Sequence, residues 1–207
     1  MRYLLIALFS VIGLQGIAQK DSKAKEVLDQ MGLKVKQAKG ILANIQLISK
    51  NNKGKALGTK SITLKMKGEK YLLNQGKMEI LCDGKNIYNF DGANSISKSD
   101  VGESDQALSP QKLLSGNYDK DFNFSLLSQN TKTATIELFP LDKRKNFQKV
   151  TLIIDKLKSA LSSASILDKS NNVTDVNVVS LSYSAQWMDN LFIFNRSKYP
   201  KNVEIFD

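Results

Sequence analysis

The sequence predicts a mainly β protein with some α: an open antiparallel barrel or half-barrel whose helices form a lid over an apolar concavity. Three observations carry this expectation. Beyond Gly40, apolar residues recur at every second position, and short polar turns separate the runs. No helical pattern of a dozen residues interrupts them, so the strands do not form βαβ units and the sheet is antiparallel. Two helices are too few to cover so long a sheet. It must therefore close on itself, pair with a second sheet, or curve around something.

The elements follow in order. Met1–Ala18 lies outside this fold. Arg2 precedes the apolar run Leu4–Leu14, and Gly16 and Ala18 supply the small-residue pattern of a signal-peptidase site. The run is too short to span a hydrocarbon core of roughly 30 Å as a stable anchor. No cysteine lies near the cleavage point, so no lipid anchor is expected there. The expectation is a cleaved signal peptide, 1–18, and a single exported, unanchored domain, 19–207. The lone thiol, Cys82, fits a bacterial periplasm better than a disulfide-rich secreted domain.

Asp21–Lys39 reads as a helix. Ala24, Val27, Leu28, Met31, Val35 and Ala38 recur at spacings of three and four, with lysines off that stripe. Asp21 or Ser22 caps it and Gly40 ends it, while Gly32 weakens it by about 1 kcal/mol relative to alanine. The period then changes to two. Ile41, Ala43, Ile45 and Leu47 alternate, as do Ile62, Leu64 and Met66. Lys67-Gly68-Glu69-Lys70 turns into a strand with Tyr71 and Leu73. Met78, Ile80 and Cys82 lead to an Asp83-Gly84 hairpin and a return at Ile87–Phe90. Ser109-Pro110 starts a short helix that Gly116 stops. Strands are expected at Phe122–Ser128, Thr133–Phe139, Phe147–Ile154, Ala160–Leu167, Val173–Ser184, Leu191–Asn195 and Val203–Phe206.

Composition removes several classes of chemistry. The 207 residues include no histidine and one cysteine. His-based catalysis, a His or Cys-cluster metal site and an intrachain disulfide are therefore excluded, and no cofactor, metal or catalytic residue is expected. A lipid hydrolase would need a Gly-x-Ser-x-Gly elbow, which is absent. Asp91, Asp100, Glu103 and Asp105 lack calcium-loop spacing and read as a solvated loop. Cys82 reads as a small core residue. The formal net charge of +10 raises nucleic acid or anionic lipid as partners. Beyond the signal peptide the arginines are Arg144 and Arg196 alone, so the bidentate phosphate and guanine contacts of a nucleic-acid binder are poorly supplied. No nucleic-acid partner is expected. A salt-sensitive attraction to lipid head groups stays open.

Taken together and in order, several segments resemble the periplasmic carriers of outer-membrane lipoproteins, the LolA family. They are the signal peptide, the first helix and a strand starting near Ala43; EILCDGKNIYNFD at Glu79–Asp91; Ser109-Pro110 with Leu113 and Leu114; IELFP at Ile136–Pro140; KVTLIID at Lys149–Asp155; Leu191–Asn195; and YPKNVEIFD at Tyr199–Asp207. The resemblance implies a non-enzymatic, monomeric carrier of lipoprotein or lipid cargo. By the same resemblance, cargo arrives from an inner-membrane ABC transporter and leaves to an outer-membrane receptor. It also implies an arginine in the turn before Tyr71 that helps hold the lid closed. Here that turn offers only Lys67 or Lys70, and lysine lacks the planar fork. Leu73 replaces a common aromatic, and Asn202 a common glycine.

The alternation nominates Leu64, Met66, Tyr71, Leu73, Met78 and Ile80 as lining of an acyl-chain cavity, with Phe90 and Leu138 opposite. Two hairpin registers at Asp83-Gly84 put different return residues inside, which leaves Phe90 dependent on the loop. Leu28, Met31 and Val35, with Leu113 and Leu114, are expected to form the lid. The same stripes would serve fixed core helices equally well. Two other readings share this pattern: a carrier of another amphiphile, and an envelope β-domain with a filled core.

Overall fold

A computed structural model of the chain describes residues 20–102, 108–116 and 118–207. The expected signal peptide lies outside the described residues, as do Glu103 and Asp105 of the acidic stretch. Helix α1 spans Ser22–Gln37, and strands β1 to β6 follow at Ile41–Lys50, Ala56–Lys67, Lys70–Gln75, Met78–Cys82, Asn86–Phe90 and Ser95–Asp100. Helix α2 is Pro110–Ser115. Strands β7 to β11 occupy Phe122–Gln129, Thr133–Pro140, Phe147–Asp155, Ala160–Asp168 and Val173–Ser182, and β12 is Glu204–Phe206.

The 12 strands form one open sheet in the order β12-β6-β5-β4-β3-β2-β1-β11-β10-β9-β8-β7. The chain runs outward from β1 to β6, crosses to the far edge at β7, and returns to lay β11 beside β1. Helix α2 lies in that crossing between edges. Leu113 and Leu114 pack with the inner-face residues, which places α2 over the concave face. Neighbouring strands are antiparallel, as expected, with one correction: β12 pairs parallel to β6.

Three other expectations change. The strand expected at Leu191–Asn195 begins inside a 3-10 turn, Asp189–Phe192, and Asn195 caps a second one by accepting from the Ser197 amide at 3.0 Å. Here side-chain docking overrides β propensity. Phe192 is fully buried with Leu72 and Leu81 on the outer face of the sheet, and Phe194 stacks on Tyr88 at 4.2 Å. Strand β6 was not expected, because SISKSD contains one apolar residue; it forms by pairing with β5 and buries Ile96 completely. Within the former acidic stretch, Asp91 instead caps a turn, accepting from the Ala93, Asn94 and Ser95 amides.

Helix α1 ends at Gln37, with Ala38 as an extended C-cap, rather than at Gly40. Gly40 has a packing role. A Cβ there would lie 2.7 Å from the Trp187 ring and 2.6 Å from the Ala185 carbonyl oxygen. Trp187 Nε1 donates to the Ile41 carbonyl at 3.1 Å and fixes the C-terminal segment against the start of β1.

Candidate functional site

The register decides which side chains face the concavity. Tyr71 pairs with Cys82 and Leu73 with Ile80, so these four share the inner face, while Leu72 and Leu81 face outward. Leu64 and Met66 pair with Leu73 and Tyr71 and face inward too. Between the inner face and α2 lies a cavity of about 320 Å³. One wall is Ile45, Leu47, Ile62 and Leu64 of β1 and β2, continued by Tyr71, Leu73 and Ile80. The same sheet continues through Val176 of β11, which pairs with Leu47, to Leu161 and Ile166 of β10, and the roof is Leu108, Leu113 and Leu114. Gln75 and Thr174 add the polar groups.

Leu64, Tyr71, Leu73 and Ile80, nominated for the cavity, and Leu113 and Leu114, nominated for the lid, meet around one space. Met66 and Leu138 face the same side but are fully buried in the solid part of the core, away from the cavity wall. Met78 lies on the inner face at the rim, 39% exposed, with its sulfur 3.6 Å from Gln75 Nε2. Phe90 does not join them. Cys82 pairs with Ile87, so Phe90 pairs with Glu79 and faces outward, edge-on to Tyr199 at 5.2 Å. The Asp83 carboxylate sets this register by accepting from the Lys85 and Asn86 amides at 2.8 and 2.7 Å.

The sequence reading missed the β10 and β11 wall. Ala160–Asp168 contains three serines, so its alternation is faint. Ile45, Leu47 and Ile62 were visible as alternating residues but were not assigned to the cavity. Cys82 is a buried free thiol whose pKa burial pushes up, which leaves it inert. Burial also raises the Tyr71 hydroxyl to about 12, so it is neutral in the cavity wall.

Helix α2 roofs the cavity, and α1 packs against α2 without lining the cavity. Leu28 and Met31 are 1% exposed and Val35 packs at the margin of the core; α2, through Leu113 and Leu114, reaches the cavity directly. Ser109 caps α2 by accepting from the Lys112 amide at 3.1 Å. Gly116 ends it at φ 66°, a left-handed conformation that favours glycine. Here Gly32 acquires a second meaning. A Cβ on Gly32 would lie 2.8 Å from the Ser115 carbonyl oxygen, and one on Gly116 would run into the Leu28 carbonyl oxygen. The two glycines let the helix backbones touch. Tyr118 donates to the Leu113 carbonyl at 2.6 Å, and Lys112 pairs with Asp121, so two neighbouring residues in the middle of α2 are tied to the segment that follows it.

Lys67 does not reach the roof. It faces outward, paired with Asp189 at 3.0 Å and donating to the Trp187 carbonyl at 3.1 Å. Lys70 sits opposite it in the ladder and shares that face. The roof is therefore held by the glycine contact, the Tyr118 hydroxyl and the cap of α1.

An open, curled antiparallel sheet with two packed helices roofing an apolar cavity defines a class of binding proteins. Within that class, residues 74–195 match the family described as outer membrane lipoprotein carrier protein LolA, and the chain belongs to that family. No curated protein matches it. Among solved structures, an uncharacterized conserved protein from Thermus thermophilus aligns with a TM-score of 0.59 at 13% identity, covering 88% of this chain and 98% of that one. A DUF1329 family protein from Desulfovibrio piger aligns at 0.51 and 11%, covering 87% and 99%. A LolA superfamily protein from Nitrosomonas europaea gives 0.49 and 12%, covering 83% and 97%. At 13% and 11% identity, the likeness to the first two is one of fold.

Proposed function

We propose that this protein is a periplasmic carrier that shelters the acyl chains of lipoproteins and shuttles them from the inner to the outer membrane. The observation that supports it best is the apolar cavity roofed by Leu113 and Leu114. An acyl chain in water costs about 0.8 kcal/mol per exposed CH₂, so a lipoprotein in transit needs such a shelter. The carrier works by binding and release, without catalysis. Cargo is received from an inner-membrane ABC transporter and handed to an outer-membrane receptor, as family membership suggests.

The cavity volume of about 320 Å³ is at the small end of ligand pockets. Bulky cargo therefore requires the α1–α2 roof to lift. The same volume favours a second reading, a carrier of a smaller amphiphile. Purification of the exported protein with its cargo, followed by mass spectrometry, separates the two. A bound triacylated lipoprotein is the expected result. Free lipid alone supports the second reading, and no acyl compound in any preparation overturns both.

A further inference from the structure

The wall of the half-barrel has a split. Strands β10 and β11 pair only from Ser163 with Asn177 to Leu167 with Val173. Beyond that point β10 continues to Ala160 on β9, and β11 continues to Ser182 on β1. Each strand carries a bulge where they part: Ser162 is the extra residue against β9, and Val179 against β1. A bulge bends its strand and increases its twist, which turns the two edges away from each other. A slot of about 220 Å³ lies between them, lined by Leu161, Ser162, Val178 and Leu181, with Lys34 and Lys158 at its margin.

Leu161, 2% exposed, lines both this slot and the apolar cavity, so its side chain is the partition between the slot and the interior. Its margin is basic. Lys34 reaches across from α1, donates to the Lys158 carbonyl, and stands 5.0 Å from the centre of the Tyr183 ring. The Lys158 side chain is 77% exposed and only loosely paired, 3.6 Å from Asp155. Two cations face one carboxylate, and the parted strand edges add backbone polar groups. An apolar depth behind a cationic, polar mouth matches one ligand chemistry: a long acyl chain ending in an anionic head.

We infer that the slot is a side entrance for an amphiphile with an anionic head group. The chain passes Leu161 into the cavity, and Lys34 and Lys158 hold the carboxylate or phosphate at the mouth. This rests on the carrier reading, since it needs the cavity to accept an acyl chain.

The test uses the exported protein and displacement of the neutral fluorophore 1-aminoanthracene. Oleate should bind about fivefold more tightly than uncharged monoolein at low salt, a preference that added salt erodes. The double variant K34Q/K158Q should lose the preference. The control K53Q/K85Q, which removes the same charge from exposed turns elsewhere, should keep it. Ser162→Trp, on the exposed bulge, should slow both association and dissociation of oleate. Either anionic head supports the proposal, and ranking oleate against oleoyl lysophosphatidate tells carboxylate from phosphate. If monoolein and oleate bind equally, or K53Q/K85Q loses the preference as K34Q/K158Q does, the side entrance is wrong while the carrier reading stands. If neither ligand binds wild type, both fall.

Discussion

The Asp21 carboxylate accepts a hydrogen bond from the Leu126 amide at 3.2 Å, joining the start of α1 to the edge strand β7. Its other oxygen accepts from the Lys23 and Ala24 amides and caps the helix. The Asp21 amide in turn donates to the Phe124 carbonyl at 3.2 Å. One residue thus ends a helix and covers part of an otherwise open strand edge.

Asp21→Ala should therefore destabilise the protein by about 1–2 kcal/mol, read as a lower denaturation midpoint, and Asp21→Asn by less. The Leu126 amide, opposed by burial and helped by the Ala24 and Lys23 amides, holds the Asp21 carboxyl below its ordinary value. A depressed pKa favours the ionised form in the folded state. This contribution is complete above about pH 4 and is lost as pH falls below it. The wild type should lose stability faster than Asp21→Ala on acidification below pH 4, and parallel curves would exclude the link.

Gly32→Ala should destabilise, although alanine is the better helix former by about 1 kcal/mol. The added methyl meets the Ser115 carbonyl oxygen and pushes the two helices apart. Thermal denaturation gives the sign directly. A rise in midpoint would mean that the helices are not in contact. Gly116→Ala should be worse, because it adds backbone strain at φ 66° to a closer clash.

Leu113→Glu and Leu28→Glu should behave differently. Leu113 borders the cavity, where a carboxylate can turn toward space and solvent, whereas Leu28 is sealed in the core at 1% exposure. Leu113→Glu should abolish binding of an apolar probe with a modest fall in stability. Leu28→Glu should lose several kcal/mol and unfold the domain at moderate temperature. Equal stability losses, measured by chemical denaturation, would show that the two helices do not differ in this way.

Tyr118→Phe should leave the fold intact at a cost of about 1 kcal/mol, because the Leu113 carbonyl loses its buried donor. With α2 held less firmly, a bound apolar probe should exchange faster. Stopped-flow displacement reads this, and an unchanged release rate would show that α2 does not control exit.

Period two and the two capped helices made most of this architecture legible in the sequence. Tyr71, Leu73 and Ile80 were legible as sharing one face because each sits in a clear alternation. Phe90 was not, because one hairpin register decides its face and the Asp83 hydrogen bonds that choose it leave no mark in hydropathy. Gly32 read as a weak point in a helix, since the residue it must admit is 84 positions away at Gly116. The outer layer was hidden for a similar reason. Phe192 and Phe194 have strand-like neighbours, but what they bury is the far side of β3 to β5.

Trp187 is the single tryptophan of the chain, and it stands on the outer face, hydrogen-bonded to the first residue of β1. Its emission is therefore a one-site optical gauge of the barrel's exterior. Ligand that enters by displacing α2 alone leaves the indole environment, including Lys65 at 5.4 Å over its ring, untouched. Ligand that makes the sheet itself flex disturbs the indole through β1 and β2. Unlabelled protein thus carries a spectroscopic means of telling roof motion from wall motion.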